Sequence, residues 1–264
     1  MSSPTLPPRF EIRKLEPKHL TWAQAIVTWT NSYKSPVWTP IYTDMPRNAY
    51  MLYNTSAYFV NHGITSGHSW GVFDTEYEYK HPESAQAGGR LLWDPSDMSA
   101  TEDDLLDQMD FPLVSVGLAY DGINEIDMAQ MTVMMEALPL LGTLFHTLET
   151  RDQRDPASWK PKAAGEVLLR NGTSTRGRYE GMGLAKALAH FIMRDAAAKG
   201  FRAIQIETAN RAVEHIWLNP PPPFKGEIVS TLHTGEFEEE VDGVKVKPFA
   251  PSSVLCTKIY LTLV

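Results

Sequence analysis

Apolar residues along the chain recur with two different periods, and the change of period marks the elements. Phe10, Ile12 and Leu15 open with strand-like spacing, Pro17 ends it, and His19 to Tyr33 is a helix-compatible run. A turn-rich stretch, Ser35-Pro36 to Pro46, leads to a second helix-compatible run, Ala49 to Val60, and Ser69 to Asp74 reads as a strand. Further strands are expected at Arg90 to Trp93 and Leu113 to Tyr120, with the acidic segment Glu102 to Asp110 between them read as a solvated loop. From Ile126 to Leu148, Met128, Met131, Met135, Leu138, Gly142, Phe145 and Leu148 recur at three and four. That is one face of a long helix, bent or broken at Pro139. Its methionines suit either an adaptable substrate wall or plain core. Arg151 to Lys162, charged and holding Pro156 and Pro161, reads as an exposed connection.

The most informative stretch follows. Val167 to Thr175 runs as a strand into Arg176-Gly177-Arg178-Tyr179-Glu180-Gly181-Met182-Gly183, and Leu184 to Lys199 then has Leu184, Leu188, Phe191 and Ile192 at helical spacing, with Gly200 as its stop. Ala203 to Thr208 alternates, with Ile204 and Ile206 on one face. The order is strand, glycine loop, helix, strand. Glycines at such a junction let backbone N–H groups at the helix start face outward, where the positive end of the helix dipole favours a phosphate. The loop is not a P-loop, since no Gly-Lys-Ser/Thr closes it, and the missing third glycine weakens a dinucleotide reading.

At these residues the chain resembles the GNAT superfamily of acetyl-CoA-dependent N-acetyltransferases, whose signature Arg/Gln-x-x-Gly-x-Gly/Ala is matched by Arg178 to Gly183. Asn210 after the next strand and Val213 three residues later continue the match, which is clear over Glu166 to about Trp217. The resemblance implies one α/β domain over residues 1–264: a mixed central sheet flanked by helices, a V-like opening between Val167 to Thr175 and Ala203 to Thr208, and an inserted helical segment before the cofactor-binding strand. Residues 75–165 exceed a minimal member and form an elaboration on the substrate side.

The implied reaction is direct transfer of acetyl from acetyl-CoA to an amine in a ternary complex, with CoA as product. A small-molecule amine is the favoured acceptor, and the elaboration points weakly to secondary or siderophore metabolism. The alternatives are a protein N-acetyltransferase and a non-catalytic acetyl-CoA-binding module. By resemblance, Asn171, Thr173 and Thr175 lie along the pantetheine and thioester, Arg178, Tyr179, Glu180, Gly181, Met182 and Gly183 hold the pyrophosphate, Leu184 and Ala185 open the helix behind it, and Asn210 adds a contact. The family's usual general acid is a Tyr seven residues after that Asn; Trp217 stands there, and an indole N–H is no practical acid. Tyr179 and Tyr260 are substitutes. The candidate bases are Glu166 and Glu207, with His215 a further candidate by its ordinary pKa. Histone-acetylating relatives place their Glu where this chain has Val167, so Glu166, one step earlier, serves only if a bulge intervenes.

Composition adds limits. The chain has 264 residues, 43% hydrophobic and 21% charged, ordinary for a packed protein. A formal charge of −8 argues against a nucleic-acid partner and allows a cationic amine. Cys256 is alone, so no intramolecular disulfide forms, and a cytoplasmic location is expected. Met1 to Arg9 reads as a short loose tail without a signal-peptide core, and no apolar stretch suits a membrane. His62, His68, His81, His146 and His233 lack metal-site spacing, and no metal is expected. Glu236 to Glu240 is either a docking strip for a cation or a solvated hairpin face beside Asp242-Gly243. The oligomeric state, monomer or homodimer, is open.

Overall fold

A computed structural model describes residues 6–263; residues 1–5 of the expected tail, and Val264 at the end of the expected closing strand, lie outside the described residues. Seven strands pair into one mixed sheet. In spatial order they are β1 (Phe10–Lys14), β2 (Trp70–Asp74), β5 (Leu113–Asp121), β6 (Val167–Thr175), β7 (Ala203–Thr208), β11 (Leu255–Thr262) and β8 (Lys225–His233). Only β6 and β7 run parallel; every other neighbouring pair is antiparallel. Small ladders form between β3 (Arg90–Leu91) and β4 (Met109–Asp110) and between β9 (Glu239–Val241) and β10 (Val244–Val246).

Helices cover both faces, which is why the inner strands are apolar on both sides. On one face α9 (Leu184–Ala198) and α10 (Arg211–Leu218) bury Leu188, Ile192 and Trp217 with Leu168, Ile204 and Ile259 of the sheet. On the other, α1 (Leu20–Tyr33) and α3 (Ala57–Thr65) pack on Leu113, Val116 and Leu118 of β5. Beside them α6 (Met128–Ala137) and α7 (Leu141–Thr150) pack on Leu232 and Cys256. The 75–165 span therefore contains a central sheet strand as well as added helices. The break between α6 and α7 falls around Pro139, as the sequence requires. No helix among the described residues is long and apolar enough to cross a membrane.

Two sequence expectations change, and a third holds in part. The run Ala49 to Val60 forms two helices, α2 (Arg47–Thr55) and α3, meeting at buried Ser56, whose hydroxyl donates back to the Tyr53 carbonyl at 3.3 Å. The segment Glu102 to Asp110 is not a solvated loop. Its acids occupy the first turn of α5 (Glu102–Asp107), where the dipole favours them, behind a Thr101–Asp104 capping box, and Leu105, Leu106 and Met109 are buried. Arg151 to Lys162 is exposed over most of its length, as expected, but it is anchored to the sheet at two points. Trp159, at the end of α8 (Pro156–Trp159), is buried, and Asp152 is fully enclosed in an ion pair with Lys258 of β11 at 3.0 Å. Glu236 to Glu240 leads into the β9–β10 hairpin, whose turn holds Asp242 and Gly243 at φ +51° and +78°.

Candidate active site

The parallel pairing of β6 with β7 covers only Val167–Arg170 against Ala203–Ile206. Beyond it, β6 continues against β5 alone and β7 against β11 alone, so the two strands part and leave the V-like opening that the resemblance implies. Strand-edge groups from Asn171 to Thr175 have no β7 partner there, so those not already bonded to β5 or to Arg170 are available to a bound molecule. The register against β5 shifts between Leu118 and Ala119, which pair with Gly172 and Arg170. Asn171 is the extra residue of this bulge. It sits where the opening begins.

A cleft of about 210 Å³ runs through the opening, lined by Asn171 to Ser174, by Ile206 to Asn210, and by Val213 of α10. It adjoins a chamber of about 590 Å³ on the face away from α9. Asn171 and Glu207 line both spaces, as does Phe145 of α7. Met128, Met131 and Met135 face the chamber, while Met131 and Met134 are also buried in the core, so this methionine face is wall and core at once.

Glu207 is the ionisable group shared by the two spaces. Burial pushes its carboxyl up to about 7, against the opposing pull of Lys258 and a 2.9 Å hydrogen bond donated by Gln205. Lys258 stands directly across from Glu207 in the β7–β11 register, yet its ammonium is engaged by Asp152 at 3.0 Å and lies 3.8 Å from the centre of the Trp159 ring. Although burial disfavours its charge, Asp152 is held down at about 2 by bonds from Arg154 and Lys258. The strong acid takes the cation and leaves Glu207 free to exchange a proton near neutrality.

The structure does not bring Glu166 to this site. It precedes β6 at the end opposite the opening, where its carboxylate accepts from the Lys162 N–H at 2.9 Å and lies 3.7 Å from Arg202. The bulge comes four residues after Val167, too late to re-aim it. His215 is exposed on α10, and the Tyr260 hydroxyl accepts from Arg202 at 2.7 Å, away from the opening.

The glycine loop leads from β6 into α9. Buried Arg176 anchors its start by donating to the carbonyls of Phe111 and Met109 at 2.8 and 2.7 Å. Gly181 and Gly183 both have φ +76°, a left-handed backbone that other residues adopt only with strain, and no described atom lies within 4 Å of where a Cβ would stand on either. Gly183 caps α9 with no side-chain bond to its first N–H groups, which are left to an incoming acceptor. The neighbouring side chains are occupied: Arg178 pairs with Asp107, the Tyr179 hydroxyl donates to Asp74 at 3.0 Å, and the Asn210 amide oxygen caps α10. Glu180 and Met182 are exposed, Leu184 is buried, Ala185 is half-buried, and Thr175 shares a hydroxyl contact with Ser115 at 2.8 Å.

One residue was missed from sequence, Arg170, and it lies against one that was singled out. Trp217, at the position of the family's Tyr, is buried against α9, and its Nε1 has no acceptor among the described residues. Over its ring, 5.6 Å from the centroid, lies the guanidinium of Arg170, the last residue of β6 paired to β7. Arg170 is 2% exposed; Nη2 donates to Gly172 O at 3.2 Å and Thr173 Oγ1 at 2.9 Å, while Nε and Nη1 find no acceptor among the described residues. Burial lowers its pKa to about 9. A lone Arg after Val167-Leu168-Leu169, in a strand buried on both faces, was the available signal.

No protein-family model matches the chain, and no curated protein matches its sequence. Solved structures do. The C-terminal condensation domain of Ebony in complex with β-alanyl-dopamine is 15% identical, with a TM-score of 0.61 over 97% of this chain and 99% of that one. Arylalkylamine N-acetyltransferase 2 from Aedes aegypti is 11% identical, with a TM-score of 0.57 over 97% and 99%. A polyamine N-acetyltransferase of Drosophila melanogaster, an enzyme that forms N-acetylagmatine, is 10% identical, with a TM-score of 0.54 over 96% and 99%. At these identities the likeness establishes architecture: the chain has the GNAT fold.

Proposed function

We propose that this protein is an N-acetyltransferase that moves acetyl from acetyl-CoA to the amine of a small, largely apolar molecule, with Glu207 as general base. The observation that carries the reading is the position of Glu207 in a wall shared by two adjoining spaces, the cleft in the opening between β6 and β7 and a chamber walled by Met, Phe and Tyr side chains. A diphosphate-bearing donor fits the residues present. The bay before α9 is clear at Gly181 and Gly183, and the freed edge of Asn171 to Thr175 leads from it to the opening. Acetyl-CoA would supply the activated acyl group as a thioester.

The chain's own groups do the rest. The backbone from Arg178 to Gly183 would take the diphosphate at the helix N-terminus. The edge from Asn171 to Thr175 would hold the donor's arm, and the Asn171 amide, beside the Tyr120 hydroxyl, would donate where the strands part. Glu207, ionised above about pH 7, would take the proton that the amine loses. The chamber's largely apolar walls, with Glu125 and Glu207 among its polar groups and Glu149 already paired with Lys160, favour an amine carried on an aromatic or aliphatic body. The solved neighbours named for arylalkylamine and agmatine acetylation support a small-molecule acceptor.

Free-thiol release from acetyl-CoA with a panel of arylalkylamines, diamines and peptides tests this. Turnover is expected with an apolar amine and is lost in Glu207→Gln. Preferential turnover of peptides would transfer the reading to protein acetylation, and acetyl-CoA binding without turnover would make the chain a binding module.

A further inference from the structure

We propose that Arg170 contacts the leaving sulfur of the thioester and holds its negative charge, standing in for a proton-donating phenol; this rests on the acetyltransferase reading above. A guanidinium that is 2% exposed and has no carboxylate in contact among the described residues is costly, because a buried charge without a counter-ion loses its hydration uncompensated. The Trp217 ring offers only partial compensation through its π face. Two donor groups, Nε and Nη1, are unspent.

Placement agrees. Arg170 is the last paired residue before β6 and β7 part; it lies just behind the cleft wall, and its Nη2 bonds Thr173, which lines the cleft. The glycine loop lies past the other end of Asn171 to Thr175, about 17 Å of strand away. A donor fixed at the loop and extended along that edge brings its thioester toward Arg170. Space is reserved as well: a Cβ on Gly117 of β5 would come within 2.9 Å of Nη1, so any other residue there would displace the guanidinium. Trp217 fills the position from which a phenol would act, and its indole gives up no proton.

The step balances without an acid at the sulfur. The amine nitrogen bonds the acetyl carbon, the carbon–sulfur bond breaks with its electron pair passing to sulfur, and the amine proton goes to Glu207. Arg170 keeps its proton and holds the thiolate by charge-assisted hydrogen bonds. Glu207 returns its proton to solvent, and the thiolate takes one on release.

Calorimetric titration of the intact protein with CoA and with desulfo-CoA, from about pH 6 to 8, below the range in which Arg170 itself titrates, reads this directly. The groups packed on the guanidinium, Gly117, Ile192, Thr173 and Trp217, do not titrate in that range. Glu207, on the other face of the sheet, affects both ligands alike. If Arg170 prefers thiolate, the bound thiol ionises below its free range, and the affinity ratio of CoA to desulfo-CoA rises about tenfold for each pH unit by which the thiol is lowered. The ratio should be flat in Arg170→Met and partly retained in Arg170→Lys. A flat ratio in the wild-type protein, or a rise that survives in Arg170→Met, overturns the proposal while leaving the acetyltransferase reading intact. Failure of either ligand to bind removes that reading and the proposal with it. The wild-type ratio decides even if a variant does not fold.

Discussion

Replacing Glu207 by Gln should disable the enzyme and stabilise it, and the two effects have one cause. The folded carboxyl titrates near 7 rather than at its ordinary 4.5 because burial penalises its charge. Between those values the folded state holds a proton that the unfolded state has lost, so stability falls as pH rises through this window. The total is about 3 kcal/mol above pH 7. Gln occupies the same volume, can still accept from Gln205, and carries no charge at any pH. At about pH 8 the variant should therefore melt roughly 6 °C above the wild type, taking about 2 °C per kcal/mol for a chain of this size. At about pH 4.5, where the wild-type carboxyl is protonated when folded and half protonated when unfolded, the two should nearly coincide. Turnover should fall roughly 10²- to 10⁴-fold, the usual worth of a general base. Melts at the two pH values and thiol-release rates check both halves. An equal melting difference at both pH values would mean that Glu207 is charged throughout in the folded state, and undiminished turnover would place the base elsewhere.

Lys258→Met removes the cation that pulls the Glu207 carboxyl down, so the acid limb of the kcat/KM profile should move to higher pH; a shift to lower pH would refute the role given to Lys258. The same change leaves Asp152 buried without that partner and should cost about 3 kcal/mol in urea unfolding. Gly181→Ala and Gly183→Val force a side chain into a backbone at φ +76°, at a strain of about 1 kcal/mol, and should weaken acetyl-CoA binding by far more than that, as read by calorimetry. Unchanged affinity in both would make the loop only a turn. Arg178→Ala should weaken binding less than the glycine changes do, and more at low salt than at high salt. Phe145→Ala, at a half-exposed residue lining both cleft and chamber, should raise KM for an apolar amine roughly tenfold with little loss of stability, and an unchanged KM would remove the chamber as the acceptor site.

Elements whose signal is local were legible from sequence. The glycine loop, α9 with its Gly200 stop, the alternation of β7 and the break at Pro139 each depend on residues within a few positions of one another. Charged segments were misread where their partners are distant. Asp152 looks like linker surface until Lys258, more than a hundred residues on, is brought against it by the β7–β11 pairing. The acids of α5 look solvated until the capping box and the burial of Leu105 and Leu106 are seen together. The choice between Glu166 and Glu207 was open for a related reason: a strand pattern tells which residues share a face, but not at which end two parallel strands part. Yet Arg170 and Lys258 share a trait visible in one dimension, a full charge inside an otherwise apolar strand. Burial makes such a residue costly wherever its counter-charge is missing. Lys258 has Asp152, and the charge is accounted for within the protein. Arg170 has no such acid among the described residues, and that difference from Lys258 is the observation on which the proposed thiolate contact rests.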